Sequence, residues 1–123
     1  MGKRRYYHNG KRCSKGEKRI MQFLEKHDIE YEKEKTYESC RSLKGNLLRF
    51  DFFIEENNML IEFDGQHHIK PVNKYRRAQR VHAQTVKHDA IKDNFVYNRD
   101  IVLLRIPYKD MNNIEYILEE ELL

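Results

Sequence analysis

The strongest constraint on the fold is a pair of alternating stretches on either side of an acidic turn. Leu48, Phe50, Phe52 and Ile54 alternate with Arg49, Asp51 and Phe53. After Glu55, Glu56, Asn57 and Asn58, the residues Met59, Ile61 and Phe63 alternate with Leu60, Glu62 and Asp64 up to Gly65. A period of two in two runs this close together predicts a β-hairpin with a polar tip. The same period places Glu62 and Asp64 on one face of one strand, with Asp51 on the neighbouring strand able to lie beside them. Such a cluster among Phe and Ile is costly, because two charges about 4 Å apart repel by roughly 4 kcal/mol at an effective dielectric of about 20. A divalent cation offsets that cost best. Oxygen ligands without a dedicated cage suit Mg²⁺, which keeps several waters and completes its shell with a phosphate. The plainer alternative is a solvated strand face whose acids pair with Lys or Arg.

The rest of the chain builds around this hairpin. Ser14, Lys15, Gly16 and Glu17 have capping-box spacing, and Ile20, Met21, Phe23, Leu24 and His27 follow at helical period, so a helix is expected over about 17–27. Residues 29–37 read as a weak, partly exposed strand, and 39–46 as a polar connection containing Gly45. Beyond a loop with Pro71, the polar stretch 75–98 can be helical throughout. Ile101 to Ile106 read as a buried strand ended by Pro107, and Ile114, Ile117, Leu118 and Leu122 mark a short amphipathic helix. The order α-β-β-β-α-β-α implies one α/β domain around a four-stranded mixed sheet.

With 123 residues there is room for one such domain, over 14–123, behind a basic N-terminal arm at 1–13. Hydrophobic residues make up 39% and charged residues 36%, and with no Trp the six Phe and eight Tyr must fill much of the core. The net charge of +4 is unevenly spread: residues 1–19 hold eight cations against Glu17 alone, which leaves the remainder negative. Such an arm, interleaved with Tyr6, Tyr7 and His8, suits a polyphosphate backbone, although a solvated basic tail looks the same in sequence. No apolar run approaches a membrane span and no signal-type stretch follows the basic start, so a soluble intracellular protein is expected. Cys13 and Cys40 have no CxxC spacing and read as free thiols.

Several further side chains bear on chemistry. His67 and His68 are neighbours on a turn and cannot both point into one site; a histidine near a metal-bound phosphate would serve as general base or acid. Asp89 and Lys92 lie three apart on the long helix, where they either face the acids or form a weak exposed pair. Zinc held by His67, His68, His82 and His88 is a rival, but their spacing fits no standard zinc site. Glu17 is either a helix cap or a site acid.

Taken in order, Ser14-Lys15-Gly16-Glu17, Leu48-Arg49-Phe50-Asp51-Phe52, Ile61-Glu62-Phe63-Asp64-Gly65 with His68, Asp89 with Lys92, and Leu103-Leu104-Arg105-Ile106-Pro107 resemble the very-short-patch-repair-like branch of the PD-(D/E)XK nuclease superfamily. That branch includes a mismatch-nicking repair endonuclease and phage-type homing endonucleases. The resemblance implies a restriction-endonuclease-like core and a Mg²⁺-dependent DNA endonuclease, with Mn²⁺ as a substitute metal and 5′-phosphate and 3′-hydroxyl products. It makes Glu17 the acid on the first helix, Asp51 the main metal ligand, His68 the catalytic histidine and Asp89 the late aspartate. Asp64, Glu62 and the backbone carbonyl of Phe63 would complete the metal shell. Where the wider superfamily has Glu-x-Lys, this chain has Glu62-Phe63-Asp64, so His68 or Lys92 must do the work of the missing lysine. The choice of His68 over His67 rests on family spacing. Lys3, Arg4, Arg5, Lys11, Arg12, Arg49, Arg76, Arg77 and Arg80 would track the DNA backbone. The expected state is a monomer or homodimer in the cytoplasm, that of the host for a phage protein. The competing expectations are a non-catalytic nucleic-acid-binding module on the same fold and a nuclease for RNA or branched DNA.

Overall fold

Helix α1 (Lys15–Lys26) begins where Ser14, in extended backbone, accepts a hydrogen bond from the Glu17 N–H. Such a cap is worth about 1 kcal/mol. Its apolar stripe, Ile20, Met21, Phe23 and Leu24, is buried. The computed structural model describes residues 7–8, 11–65, 71 and 73–123. Within the basic arm, β1 (Tyr7–His8) and β2 (Lys11–Arg12) form a short antiparallel ribbon that the sequence did not suggest. Then come β3 (Glu32–Arg41), β4 (Leu47–Ile54), β5 (Met59–Asp64), α2 (Arg76–Tyr97), β6 (Val102–Pro107) and α3 (Ile114–Leu122).

Strands β3 to β6 form one mixed sheet in that spatial order. The first two pairings are antiparallel, and β5 with β6 is parallel. A parallel pair needs a crossover, and α2 supplies it on one face of the sheet. Helices α1 and α3 cover the other face. Their core joins Ile20, Leu24, Ile114 and Leu118 to Phe52, Ile54, Ile61 and Ile106, all fully buried. On the α2 side, Phe95 packs with Phe50, Leu60, Leu48 and Cys40. This is the expected α/β layout of a four-stranded mixed sheet flanked by helices. Among the described residues, no helix is long and apolar enough to cross a membrane.

Two details depart from simple periodicity. Strand β3 runs on to Arg41, well past the expected 37, because pairing with β4 supplies the hydrogen bonds that its charged sequence does not advertise. The second departure lies in β4. Leu48 and Phe50 belong to the α2-side core and Phe52 and Ile54 to the α1-side core, although even-numbered residues of a regular strand share a face. The strand therefore changes face between Phe50 and Phe52, at Asp51.

Candidate active site

The change of face at Asp51 builds the site. Strands β4 and β5 are paired from Ile54↔Met59 to Phe52↔Ile61, where their ladder stops. Beyond that point Asp51 Oδ2 accepts the Phe63 N–H at 2.9 Å, so a carboxylate takes up a donor the ladder leaves over. Gly16 brings α1 to the same place: a Cβ there would lie 2.5 Å from the Phe63 ring, so only glycine permits this approach. Glu17 follows directly. Its backbone is capped by Ser14, while its carboxylate accepts the Ser14 hydroxyl at 3.2 Å and the Lys33 ammonium at 3.0 Å. Cap and site acid are therefore compatible, since the Ser14 cap engages the Glu17 amide and leaves its carboxylate facing the pocket.

From the other side of the sheet, Glu62 points toward α2 and is 3% exposed. Lys92, also buried, donates to Glu62 Oε1 and to the Arg49 carbonyl, both at 2.5 Å, and lies 5.0 Å from the centre of the Phe50 ring. A buried carboxylate is tolerated only with such a partner. Together Ser14, Glu17, Asp51, Glu62, Phe63, Gly65 and Lys92 line an open pocket of about 240 Å³. Three acids face two lysines, Lys33 and Lys92, so one negative charge remains uncompensated when all are ionised. The excess falls on Asp51. Burial first, then the charges of Glu62 and Glu17, push its carboxyl up to about 7, against the Phe63 N–H and Lys92, which pull it down. Burial also raises Glu62, and Lys92 takes back part of that rise.

Asp64 shares the α2-facing side of β5 with Glu62, as period two requires, but its carboxylate is engaged elsewhere. The parallel register sets Arg105 of β6 beside Glu62. The Arg105 guanidinium reaches Asp89 at 3.0 Å, the Asp89 carbonyl at 3.1 Å, Asp93 at 3.1 Å and Asp64 at 4.0 Å. Burial tends to lower the Arg105 pKa, yet Asp89, Asp93, Glu62 and Asp64 together hold it above its ordinary value. Alternation predicts that Asp51, Glu62 and Asp64 converge; the structure instead brings Asp51 and Glu62 together with Glu17, while Asp64 and Asp89 join an adjacent cluster around Arg105. In sequence Ser14 reads only as the head of a capping box and Arg105 only as part of the Leu103–Pro107 motif, and nothing marks Lys33. The local signal for Arg105 is a cation inside the apolar run from Ile101 to Ile106, which does not reveal its acidic partners.

Of the remaining expected residues, Lys3, Arg4, Arg5, His67 and His68 lie outside the described residues, and Lys11 and Arg12 fall on β2. Arg49 is exposed on β4, and Arg76, Arg77 and Arg80 are exposed on the first turns of α2. Among the described residues, no three His, Cys, Asp or Glu side chains are grouped closely enough to hold a metal ion ready-made; two of the four histidines of the zinc alternative, His67 and His68, lie outside the described residues. Lys92 and Lys33 occupy Glu62 and Glu17. Compared with protein-family models, with curated proteins and with solved structures, the chain matches none.

Proposed function

We propose that the protein is a Mg²⁺-dependent endonuclease that hydrolyses phosphodiester bonds in DNA. The observation that carries this reading is the Asp51 carboxylate, which accepts the Phe63 N–H and lines an open pocket together with Glu62 and Glu17, three acids against the two lysines Lys33 and Lys92. A structural carboxylate has no need of that environment, whereas a cation-binding one does. The donor set fits Mg²⁺, which takes one or two carboxylates and fills the rest of its shell with water and substrate phosphate. Asp51 would hold it, with Glu62 and the Phe63 carbonyl as further oxygen donors. When bound, the ion supplies charge to polarise the phosphate and to acidify a water.

The chain's own side chains would do the rest. Lys92 holds Glu62 in place and lends positive charge beside the phosphate. Ser14 and Lys33 hold Glu17 at the pocket edge, where its carboxylate can orient a water. His68 is proposed to move the proton, with Glu17 as its partner; Asp89 is less suited because Arg105 engages it. The exposed Arg49, Arg76, Arg77 and Arg80 and the basic arm would bind phosphates outside the pocket. The motif order that resembles the PD-(D/E)XK superfamily supports the same reading.

The direct test is cleavage of supercoiled plasmid in Mg²⁺, against EDTA and against Asp51→Ala protein prepared identically. Nicked or linear product from the wild type alone is expected. Cleavage that survives in Asp51→Ala would remove the proposal, and binding without cleavage would favour a non-catalytic module.

A further inference from the structure

The turn between β3 and β4 presents Leu43 to solvent at 87% exposure. A single exposed leucine means little by itself. This one, however, sits on a braced tip. Arg41 donates to the Glu38 carbonyl at 2.9 Å, the Glu38 carboxylate at 2.7 Å and the Gly45 carbonyl at 2.7 Å. Ser42 and Asn46 close the turn through Ser42 N–H to the Asn46 carbonyl at 2.8 Å and Asn46 N–H to the Ser42 hydroxyl at 3.2 Å. Gly45, at φ +88°, takes the left-handed conformation that closure requires. An apolar side chain is thus held outward on a rigid mount, where it contributes nothing to either core.

Behind the tip runs a groove of about 680 Å³ between this turn and α2. Leu48, Val81 and Ile91 form its apolar floor, and Lys44, Arg77 and Lys87 stand on its rim. Among the described residues no acid lines it, in a chain with 20 acids. Two of its lining residues, Ile91 and Leu48, are the chain neighbours of Lys92 and of Arg49, whose carbonyl Lys92 binds. Cations bordering an apolar projection match duplex DNA, which offers phosphates on both sides of a stack of apolar base faces. Apolar wedges flanked by Lys and Arg enter that stack from the minor groove and kink the duplex.

We propose that Leu43 is such a wedge: it enters the base stack of duplex DNA from the minor groove while Lys44, Arg77 and Lys87 hold the flanking phosphates. This rests on the endonuclease reading and deepens it by assigning the substrate class, duplex DNA that is kinked and locally unwound on binding. A flexible step with weak stacking would be preferred over stiff A-tracts.

Two readouts in EDTA keep the DNA intact. The first is the topoisomer distribution of plasmid relaxed by a metal-independent topoisomerase in the presence of the protein, and the second is the fluorescence of a 2-aminopurine placed in a short duplex. Wild type and Leu43→Met are expected to shift the topoisomers and raise the fluorescence. Leu43→Ala should bind the duplex within about threefold of wild type, since the phosphate contacts remain, yet lose both signals. Wild type bound without unwinding, Leu43→Ala unwinding as much as wild type, or no duplex binding at all would each overturn the proposal. Plasmid cleavage in Mg²⁺ separates the two readings: cleavage without unwinding removes the wedge alone, and unwinding without cleavage removes the nuclease alone.

Discussion

Replacing Asp51 by Asn should make the metal-free protein more stable, and more so in base than in acid. The amide oxygen that Asp51→Asn introduces keeps the bond from the Phe63 N–H, so the substitution removes one charge and little else. Burial, Glu62 and Glu17 raise the Asp51 carboxyl from 3.8 to about 7. An acid whose pKa is higher in the fold than in the unfolded chain favours the fold fully below about pH 4, and that stability is lost as pH rises through about 7. With about 1.4 kcal/mol per unit, the full shift costs the wild type about 3 kcal/mol between about pH 5 and pH 8, and water in the open pocket cuts this to about 1 to 2 kcal/mol. Asp51→Asn escapes the loss. The assay is urea unfolding of both proteins at the two pH values in EDTA, where a difference of that size moves the gap between midpoints by roughly 1 M. Adding Mg²⁺ at the higher pH should then stabilise the wild type and leave the variant unchanged. A midpoint gap that is the same at both pH values would show that Asp51 is an ordinary solvated carboxylate, and the argument for a cation there would fail.

Lys92→Met should destabilise by about 3 to 5 kcal/mol, because Glu62 is left buried without its ammonium, and Glu62→Gln in the same chain should recover most of that loss. Thermal melts of the three variants decide it, and a Lys92→Met protein as stable as wild type would refute the buried pair. Gly16→Ala should cost about 1 to 3 kcal/mol, since its Cβ meets the Phe63 ring, even though alanine favours helix. Phe63→Leu should relieve that clash in a double-mutant cycle, and a net gain in stability from Gly16→Ala alone would contradict the packing. Ser14→Ala should cost about 1 kcal/mol through the lost cap, measurable by urea unfolding; no change would mean that α1 does not depend on it.

The hairpin was legible in sequence because its apolar residues alternate cleanly, and the helices because their stripes or lengths leave little choice. What alternation could not show is the change of face at Asp51, since Leu48, Phe50, Phe52 and Ile54 read as one side of a regular strand. Asp64 illustrates a different limit. Period two correctly set it on the same face as Glu62, but which acid stays in the pocket depends on the register of β6, and a register between strands so distant in the chain leaves no local trace. Arg105 claims Asp64 and Asp89 only because that register puts it beside Glu62. The double duty of Glu17 looked like a choice between cap and site acid, because spacing cannot tell an amide hydrogen bond from a carboxylate one.

Helix α2 is held to the sheet by few of its own side chains. Of its 22 residues only Ala78, Lys92 and Phe95 are buried, so most of its length gains little from docking on the sheet. Local opening of such a segment costs less than global unfolding. Yet this helix brings Lys92 to Glu62 and carries Arg77 and Lys87 of the groove, so detaching it would strip Glu62 of its ammonium partner while both α1 and α3 stay packed. Docking of α2 and the proposed binding at the pocket would thereby be thermodynamically linked. Amide hydrogen exchange along 76–97 should slow when cation and DNA bind, with the exchange of β4 and β5 almost unaffected.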